Sequence, residues 1–378
     1  MTEKLVYVVS EPACLIPGTG AFRHIEAGRE MLSRHFSVTF LPLCATPEIV
    51  QNSGATPSEA LQVSALKQSF VWGTLKDIYI LFRHHRNFIY WYKKLKSEKP
   101  EVIYERAAYL NFNALIAARL LKIRHIYEAN GIQYLVAQTQ YQSLLRPVMK
   151  LLEKWAYKKS DYTFFVGSWG DVLKMKKKNW ENIENGIEAS FADQFAAVNR
   201  HAGDIIHVCF IGTLMPHHRM DVLTAALAKV QHKNRIHLHL VGKKFDSVVK
   251  EFAEKFAITT HGFLDRDQLA ELLKTMDIGV IPGGFEYPSF MKLFEYGAAK
   301  LLVLAPRLYN LRQWFDESEI LYFDTDNAQD LAKKIDNVVE NPEKVNTYGE
   351  ALYASIREKH TWEKIFEHKT QIIQSLRK

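Results

Sequence analysis

Short apolar runs alternate with helix-length stretches along almost the whole chain, and no other feature of the sequence restricts the fold as strongly. Strand candidates are Leu5–Ser10, Ser37–Pro42, Val102–Glu105, His125–Glu128 and Tyr162–Val166, then Ile206–Ile211, Ile236–Val241, Thr259–Gly262, Ile278–Pro282, Leu302–Ala305 and Ile320–Phe323. Between them lie stretches such as Phe22–His35, Ala107–Leu121, Leu145–Lys159, Asp221–His232 and Arg266–Met276. Strand, crossover helix, strand is the grammar of a parallel sheet covered by helices on both faces. At 378 residues the chain exceeds one ordinary core, and the series breaks near Asn199–Asp204. Two doubly wound α/β domains are therefore expected.

Composition removes the competing classes. Hydrophobic residues at 47% and charged residues at 24% exclude disorder, collagen and coiled coil for the chain as a whole. Cys14, Cys44 and Cys209 are odd in number and far apart, so they form neither a disulfide framework nor a zinc pattern. The start, MTEKLVYVVS, enters a strand-like run without a cleavable leader, and no stretch approaches the ~18–20 apolar residues that span a bilayer. A cytoplasmic protein is the expectation.

Charge is uneven. Residues 1–200 hold 26 Lys and Arg against 18 Asp and Glu, whereas the remainder holds 23 against 24. Residues 61–100 alone carry Lys67, Lys76, Arg83, Arg86, Lys93, Lys94, Lys96 and Lys99 against Asp77 and Glu98. The first half thus suits an anionic partner: a phospholipid surface, a pyrophosphate-bearing substrate or nucleic acid. A merely solvated basic face explains the same count.

Ligands of parallel sheets bind beyond the carboxyl ends of the strands, so the loops that follow strands carry the candidate chemistry. The first is Pro17-Gly18-Thr19-Gly20-Ala21-Phe22-Arg23-His24. Its glycines allow close backbone approach and its helix start favours negative charge, although a plain strand-to-helix turn also fits. Arginine at position 23, where a third glycine would stand, argues against a dinucleotide oxidoreductase. The second loop, Ile211 to Asp221, contains Gly212, Thr213 and the pair His217-His218. No Cys or Asp/Glu cluster accompanies those histidines, so contact with phosphate or sugar suits the loop better than a metal, and a merely exposed histidine pair explains the loop taken alone better still. The third is Tyr287-Pro288-Ser289-Phe290-Met291-Lys292-Leu293-Phe294-Glu295. Ser289 reads as an N-cap for a helix beginning at Phe290, and Lys292 and Glu295 share one helical face near its start. Free amides and an ammonium would meet a diphosphate there, with a carboxylate one turn deeper for sugar hydroxyls. An ordinary capped helix is the alternative.

In order, these segments resemble the retaining, nucleotide-sugar-dependent glycosyltransferases of family four, which have the GT-B fold. The resemblance runs through Glu128-Ala129-Asn130-Gly131, Val166-Gly167-Ser168, Glu184-Asn185-Gly186-Ile187, Phe210-Ile211-Gly212, His261-Gly262-Phe263 and Lys292-Leu293-Phe294-Glu295-Tyr296. It implies two Rossmann-like doubly wound parallel-sheet domains facing across a cleft. An acceptor domain would span residues 1–203 and a donor domain 204–360, with a terminal helix over 361–378 packing back on the first domain. It further implies that Lys292 holds the donor diphosphate and Glu295 the ribose, while Gly18, Gly20, Gly212, Thr213, His218, Glu286, Ser289 and Phe290 line phosphates and sugar and Phe263 marks the base site. Arg23, His24 and Asn130 fall to the acceptor. Three positions depart from the family pattern. Thr213 and His218 stand where a basic pair is usual. The first acid of the E-x7-E motif is Tyr287, with Glu286 one place early. Glu128 replaces a histidine near the reacting centre.

The expected function is transfer of a sugar from a nucleoside-diphosphate sugar, UDP foremost, to a hydroxyl of a glycan or lipid-linked acceptor. Lys292, Glu295 and Glu128 are the catalytic candidates, and no metal and no cofactor beyond the nucleotide-sugar co-substrate is expected. A two-lobed, non-catalytic sugar or nucleotide binder is the competing reading. The run 70–96 mixes aromatic and basic side chains, as an interfacial segment does, and suggests peripheral association with the inner face of the cell membrane. A domain-core helix with buried aromatics is its plainer explanation, and no nucleic-acid module surrounds it.

Overall fold

A computed structural model describes residues 2–17, 19–42, 69–86, 88–138, 140–176, 179–200, 203–252 and 254–376. Gly18, Cys44 and Lys67 lie outside the described residues. The chain divides into two compact units, one of Met1–Glu184 with Phe366–Lys378 and one of Asn185–Ile365.

The first unit is built on β1 (Lys4–Val9), β2 (Ser37–Pro42), β3 (Val102–Arg106), β4 (Arg124–Ala129), β5 (Tyr162–Val166) and β6 (Trp180–Ile183). Its order is β2-β1-β3-β4-β5-β6, with every pair parallel. Leu5 to Val9 are wholly buried, as a strand covered on both faces must be. Strand β6 is absent from the sequence expectations. Its four residues, Trp180-Glu181-Asn182-Ile183, are buried only at their two ends, behind a lysine-rich stretch, and make no continuous apolar run.

The second unit contains β7 (Ile206–Ile211), β8 (Ile236–Val241), β9 (Ala257–Gly262), β10 (Ile278–Val280), β11 (Leu302–Pro306) and β12 (Leu321–Phe323). These form a parallel sheet in the order β12-β11-β10-β7-β8-β9. Two apolar layers sandwich it. One gathers Cys209, Leu273, Tyr296 and Leu352, and the other Val208, Leu223, Leu240 and Ile335. Chain order reverses between β7 and β10, so their outgoing connections diverge and leave room for a ligand.

The units part at Glu184 and Asn185, earlier than the linker that strand spacing suggested at Asn199–Asp204. The reason is packing. Phe191 and Phe195 are buried in the second unit's core, and the Arg200 guanidinium donates to the carbonyls of Leu273, Lys274, Met276 and Ala299. The helix Trp362–Ser375 begins in the second unit, and from Phe366 onward it belongs to the first.

Candidate active site

The loops after β7, β8 and β9 are stitched together by backbone. Gly212 N–H donates to the Val241 carbonyl at 2.9 Å, Leu214 N–H to Lys243 at 3.1 Å and Gly242 N–H to Gly262 at 2.7 Å. Gly242 has φ +129°, and a Cβ there would lie 2.1 Å from the Gly212 carbonyl oxygen, so no side chain fits. Gly212 lies at φ +144°. A Cβ on it would stand 3.4 Å from both His218 Cε1 and Lys292 Nζ. The structure thus brings Gly212, His218 and Lys292 together at the reversal between β7 and β10.

Lys292 is the second residue of the helix Met291–Ala298, and its Nζ lies 4.2 Å from the centre of the Phe210 ring. Burial pulls its ammonium down to about 7, against the opposing charge of Glu295. No hydrogen bond or ion pair reaches this Nζ among the described residues. The helix start is also short of partners, because Phe290 occupies the N-cap position and no side chain caps it. Here the expectation for Ser289 fails: its Oγ accepts from Asn185 N–H at 3.3 Å instead of capping the helix.

His218 Nδ1 lies 2.8 Å from the Thr213 carbonyl, and since a carbonyl only accepts, that nitrogen carries the proton. Burial, with Lys292 and His217 nearby, holds the imidazole down to about 3. It is neutral at physiological pH and its Nε2 offers a lone pair.

Glu295 lies one turn deeper, 4% exposed, and its Oε1 accepts from Arg266 Nη1 at 3.2 Å. Arg266 also pairs with Glu188 and rests on the Phe191 ring. Sequence reasoning missed this triad because its members come from three separate segments. Glu286 is exposed, and the loop around it is organised by Asn310, which the sequence reading also missed. Asn310 N–H donates to the Glu286 carbonyl and its Nδ2 to those of Phe285 and Pro288. Phe263, 67% exposed, follows β9 directly.

In the first unit, Thr19 caps the helix Gly20–Ser33 by accepting from Phe22 N–H at 3.2 Å. Arg23 is half-buried and His24 buried. Glu128 is 0% exposed and forms the hub of a charge network. His24 Nε2 stands 3.0 Å from its carboxylate and Lys369 Nζ 2.7 Å. Arg106 Nη1 at 3.3 Å, Asn130 Nδ2 at 3.1 Å and the Tyr104 hydroxyl complete the shell. Burial pushes this carboxyl up, but His24, Lys369 and Arg106 together outweigh it and hold it well below the usual carboxylate range. A carboxylate so enclosed is a scaffold, so the catalytic role expected for Glu128, and acceptor contact by the equally buried His24, do not fit this arrangement.

Two glycosyltransferase family models match the chain. One, of the glycosyltransferase family 28 N-terminal domain, matches residues 31–146, and one described as glycosyl transferase-like matches residues 219–369. The architecture is that of a GT-B glycosyltransferase. A sucrose-phosphate synthase from Thermosynechococcus elongatus superposes with a TM-score of 0.71 at 16% identity, covering 99% of both chains. The lipopolysaccharide outer core galactosyltransferase WaaB gives 0.70 at 12% identity over 98% of this chain and 99% of that one. Anabaena HepE in complex with UDP and glucose gives 0.64 at 13% identity over 99% of this chain and 100% of its own. These likenesses establish the fold. No curated protein matches the chain by sequence.

The basic aromatic run forms the helices Phe70–His85 and Phe88–Glu98. Its reading as a core helix with buried aromatics is not what the structure shows. Only Gly73 and Asp77 are buried in the first helix and Leu95 in the second, whereas Phe70, Leu75, Tyr79, Phe82, Ile89 and Tyr90 are exposed. The neighbouring helix Arg146–Lys159 adds exposed Val148, Leu151 and Trp155. Its lead-in is tied to the first helix by Leu144 N–H, which donates to Thr74 Oγ1 at 3.0 Å. No helix among the described residues is long and apolar enough to cross a membrane.

Proposed function

We propose that this glycosyltransferase fold moves a sugar from a nucleoside-diphosphate sugar, with UDP as the nucleotide, to an acceptor hydroxyl with retention of anomeric configuration. The observation that carries the proposal is Lys292, a desolvated ammonium with no hydrogen bond or ion pair among the described residues, at a helix start without a side-chain cap. A diphosphate supplies the missing charge. The departing diphosphate is stabilised by Lys292 and the first helix amides, so the protein itself provides the cationic groups that the step needs. Glu295, oriented by Arg266, accepts a ribose hydroxyl, and the base lies against the backbone beside Phe263. Neutral His218 accepts a hydroxyl of the sugar through Nε2, a better match than the phosphate contact expected from sequence.

HepE is described with UDP and with glucose, which agrees with this donor class. Isothermal titration of UDP into the protein and into Glu295→Ala tests the donor site, and equal affinities would remove it. A screen of nucleotide-sugar donors by release of free UDP or GDP tests turnover. Loss of Lys292 is expected to lower it ~10²–10³-fold.

The acceptor, in this reading, is borne by a membrane. The exposed apolar side chains of residues 70–96 are interleaved with the exposed cations Arg83, Arg86, Lys93 and Lys96, which suits an anionic leaflet at about 1 kcal/mol per cation. Sedimentation with anionic vesicles at low salt, lost at high salt or with neutral vesicles, is the expected result. Protein that stays in the supernatant under every condition would indicate a water-soluble acceptor.

A further inference from the structure

A second cluster of chemistry lies in the donor-type unit, in the amino-terminal part of its sheet. His207 on β7 pairs in register with His237 on β8, and His239 follows two residues later on the same face. One ring nitrogen from each of the three lies within 4.8 Å of the other two. His207 Nδ1 and His239 Nε2 are 2.9 Å apart.

The geometry points to a site for one divalent transition-metal ion of the zinc class, held by His207, His237 and His239. Three imidazoles suit zinc, nickel or copper, and offer nothing that selects magnesium or calcium. Tetrahedral zinc with bonds of ~2.0–2.1 Å needs nitrogens about 3.4 Å apart, which modest ring rotations supply.

What lifts this group above a chance cluster is its outer ring of contacts. His239 Nδ1 is engaged by His261 Nε2 at 3.0 Å, and the two rings stack. His237 Nε2 is engaged by Thr259 Oγ1 at 2.8 Å, so its Nδ1 is the nitrogen left to ligate. Partners on the second nitrogen fix ring orientation and tautomer, as they do around bound metals.

The ion would clamp β7, β8 and β9 to one another. It would not take part in transfer: even His239, the ligand nearest the donor loops, is level with Cys209, three residues before Gly212 and roughly 10 Å along the strand. The proposal therefore stands or falls independently of the donor site.

The test is titration of the full chain with Zn²⁺ at pH 7.5, followed by isothermal calorimetry and by thermal melting, together with the absorbance of a Co²⁺ substitute. One ion per chain at this site, tetrahedral cobalt bands and a raised Tm are expected. His239→Gln and His237→Gln are each expected to weaken uptake at least 100-fold and to cancel the Tm rise, while His261→Phe weakens it about 10-fold through the outer contact. His84→Asn, in the other unit, should change nothing. Should His239→Gln fold poorly, His237→Gln and His207→Gln at the half-exposed positions report the same coordination. Absence of zinc uptake by the unaltered chain, or uptake unchanged in these glutamine variants, overturns the proposal.

Discussion

Lys292 gives the sharpest test of the donor site, because its protonation and its ligand are linked. Burial lowers the ammonium from 10.5 to about 7 in the unliganded protein. A bound diphosphate favours the charged form and raises that value. Affinity for UDP is therefore greatest below about pH 7 and falls as pH rises through the free-state value toward the bound one. If the bound value exceeds 9, the protonated fraction drops from one half at pH 7.0 to about 3% at pH 8.5, and Kd rises about 15-fold, or ~1.6 kcal/mol. Calorimetry across this window in buffers of different ionisation enthalpy should show close to one proton taken up per UDP at pH 8.5. Lys292→Arg keeps the charge at every pH and should flatten the dependence. Lys292→Gln should bind weakly and also without slope. His218 is neutral throughout the window and contributes none. A flat profile in the unaltered protein, or a slope that survives in Lys292→Gln, would refute both the linkage and the diphosphate assignment.

Other expectations follow from the same contacts. Lys369→Met leaves the buried Glu128 carboxylate short of its nearest cation and should destabilise the first unit by about 3–5 kcal/mol in denaturant unfolding. Because the folded Glu128 value is depressed, its stabilising contribution is present above the unfolded carboxyl value and fades as pH falls, so the gap between variant and parent should narrow in acid. Gly242→Ala forces a side chain to φ +129° and into the Gly212 carbonyl, at a cost of at least ~1–3 kcal/mol, and UDP binding should weaken with it. Phe82→Asp and Leu151→Asp place charge on the exposed apolar face, so both should lose vesicle binding while leaving Tm and UDP affinity unchanged.

The alternation of strands and helices was legible because a strand buried on both faces must be continuously apolar, as Leu5 to Val9 are. The loops after β7 and β10 stood out for a related reason: a glycine or a charge follows the apolar run directly. Partnerships made across the fold had no local mark. Arg266 reaches Glu188 and Glu295, and Lys369 reaches Glu128 from 241 residues away. Glu128 misled for the same reason. A lone carboxylate at a strand end looks available until its shell is known. The histidines of β7 and β8 were visible as alternating residues, but their encounter depends on which strands are neighbours, and only the sheet order settles that.

The two units treat their buried charges in opposite ways, and the contrast bears on which substrate each takes. In the first unit, Glu128 is matched by Arg106 and Lys369, with the His24 imidazole beside it held down by burial, so the carboxyl ends of β3 and β4 present charges already satisfied from within. An additional diphosphate would have to break those pairs, which costs several kcal/mol each when they are buried. A neutral hydroxyl would not. In the second unit, Lys292 has given up hydration with only the nearby charge of Glu295 to offset it and no ion pair among the described residues, and the adjacent helix amides lack a side-chain cap. Such an arrangement is unfavourable in the empty protein and becomes favourable only when a negative group arrives. In the proposed transfer, this contrast suits the charged donor to the second unit and an uncharged hydroxyl group to the first.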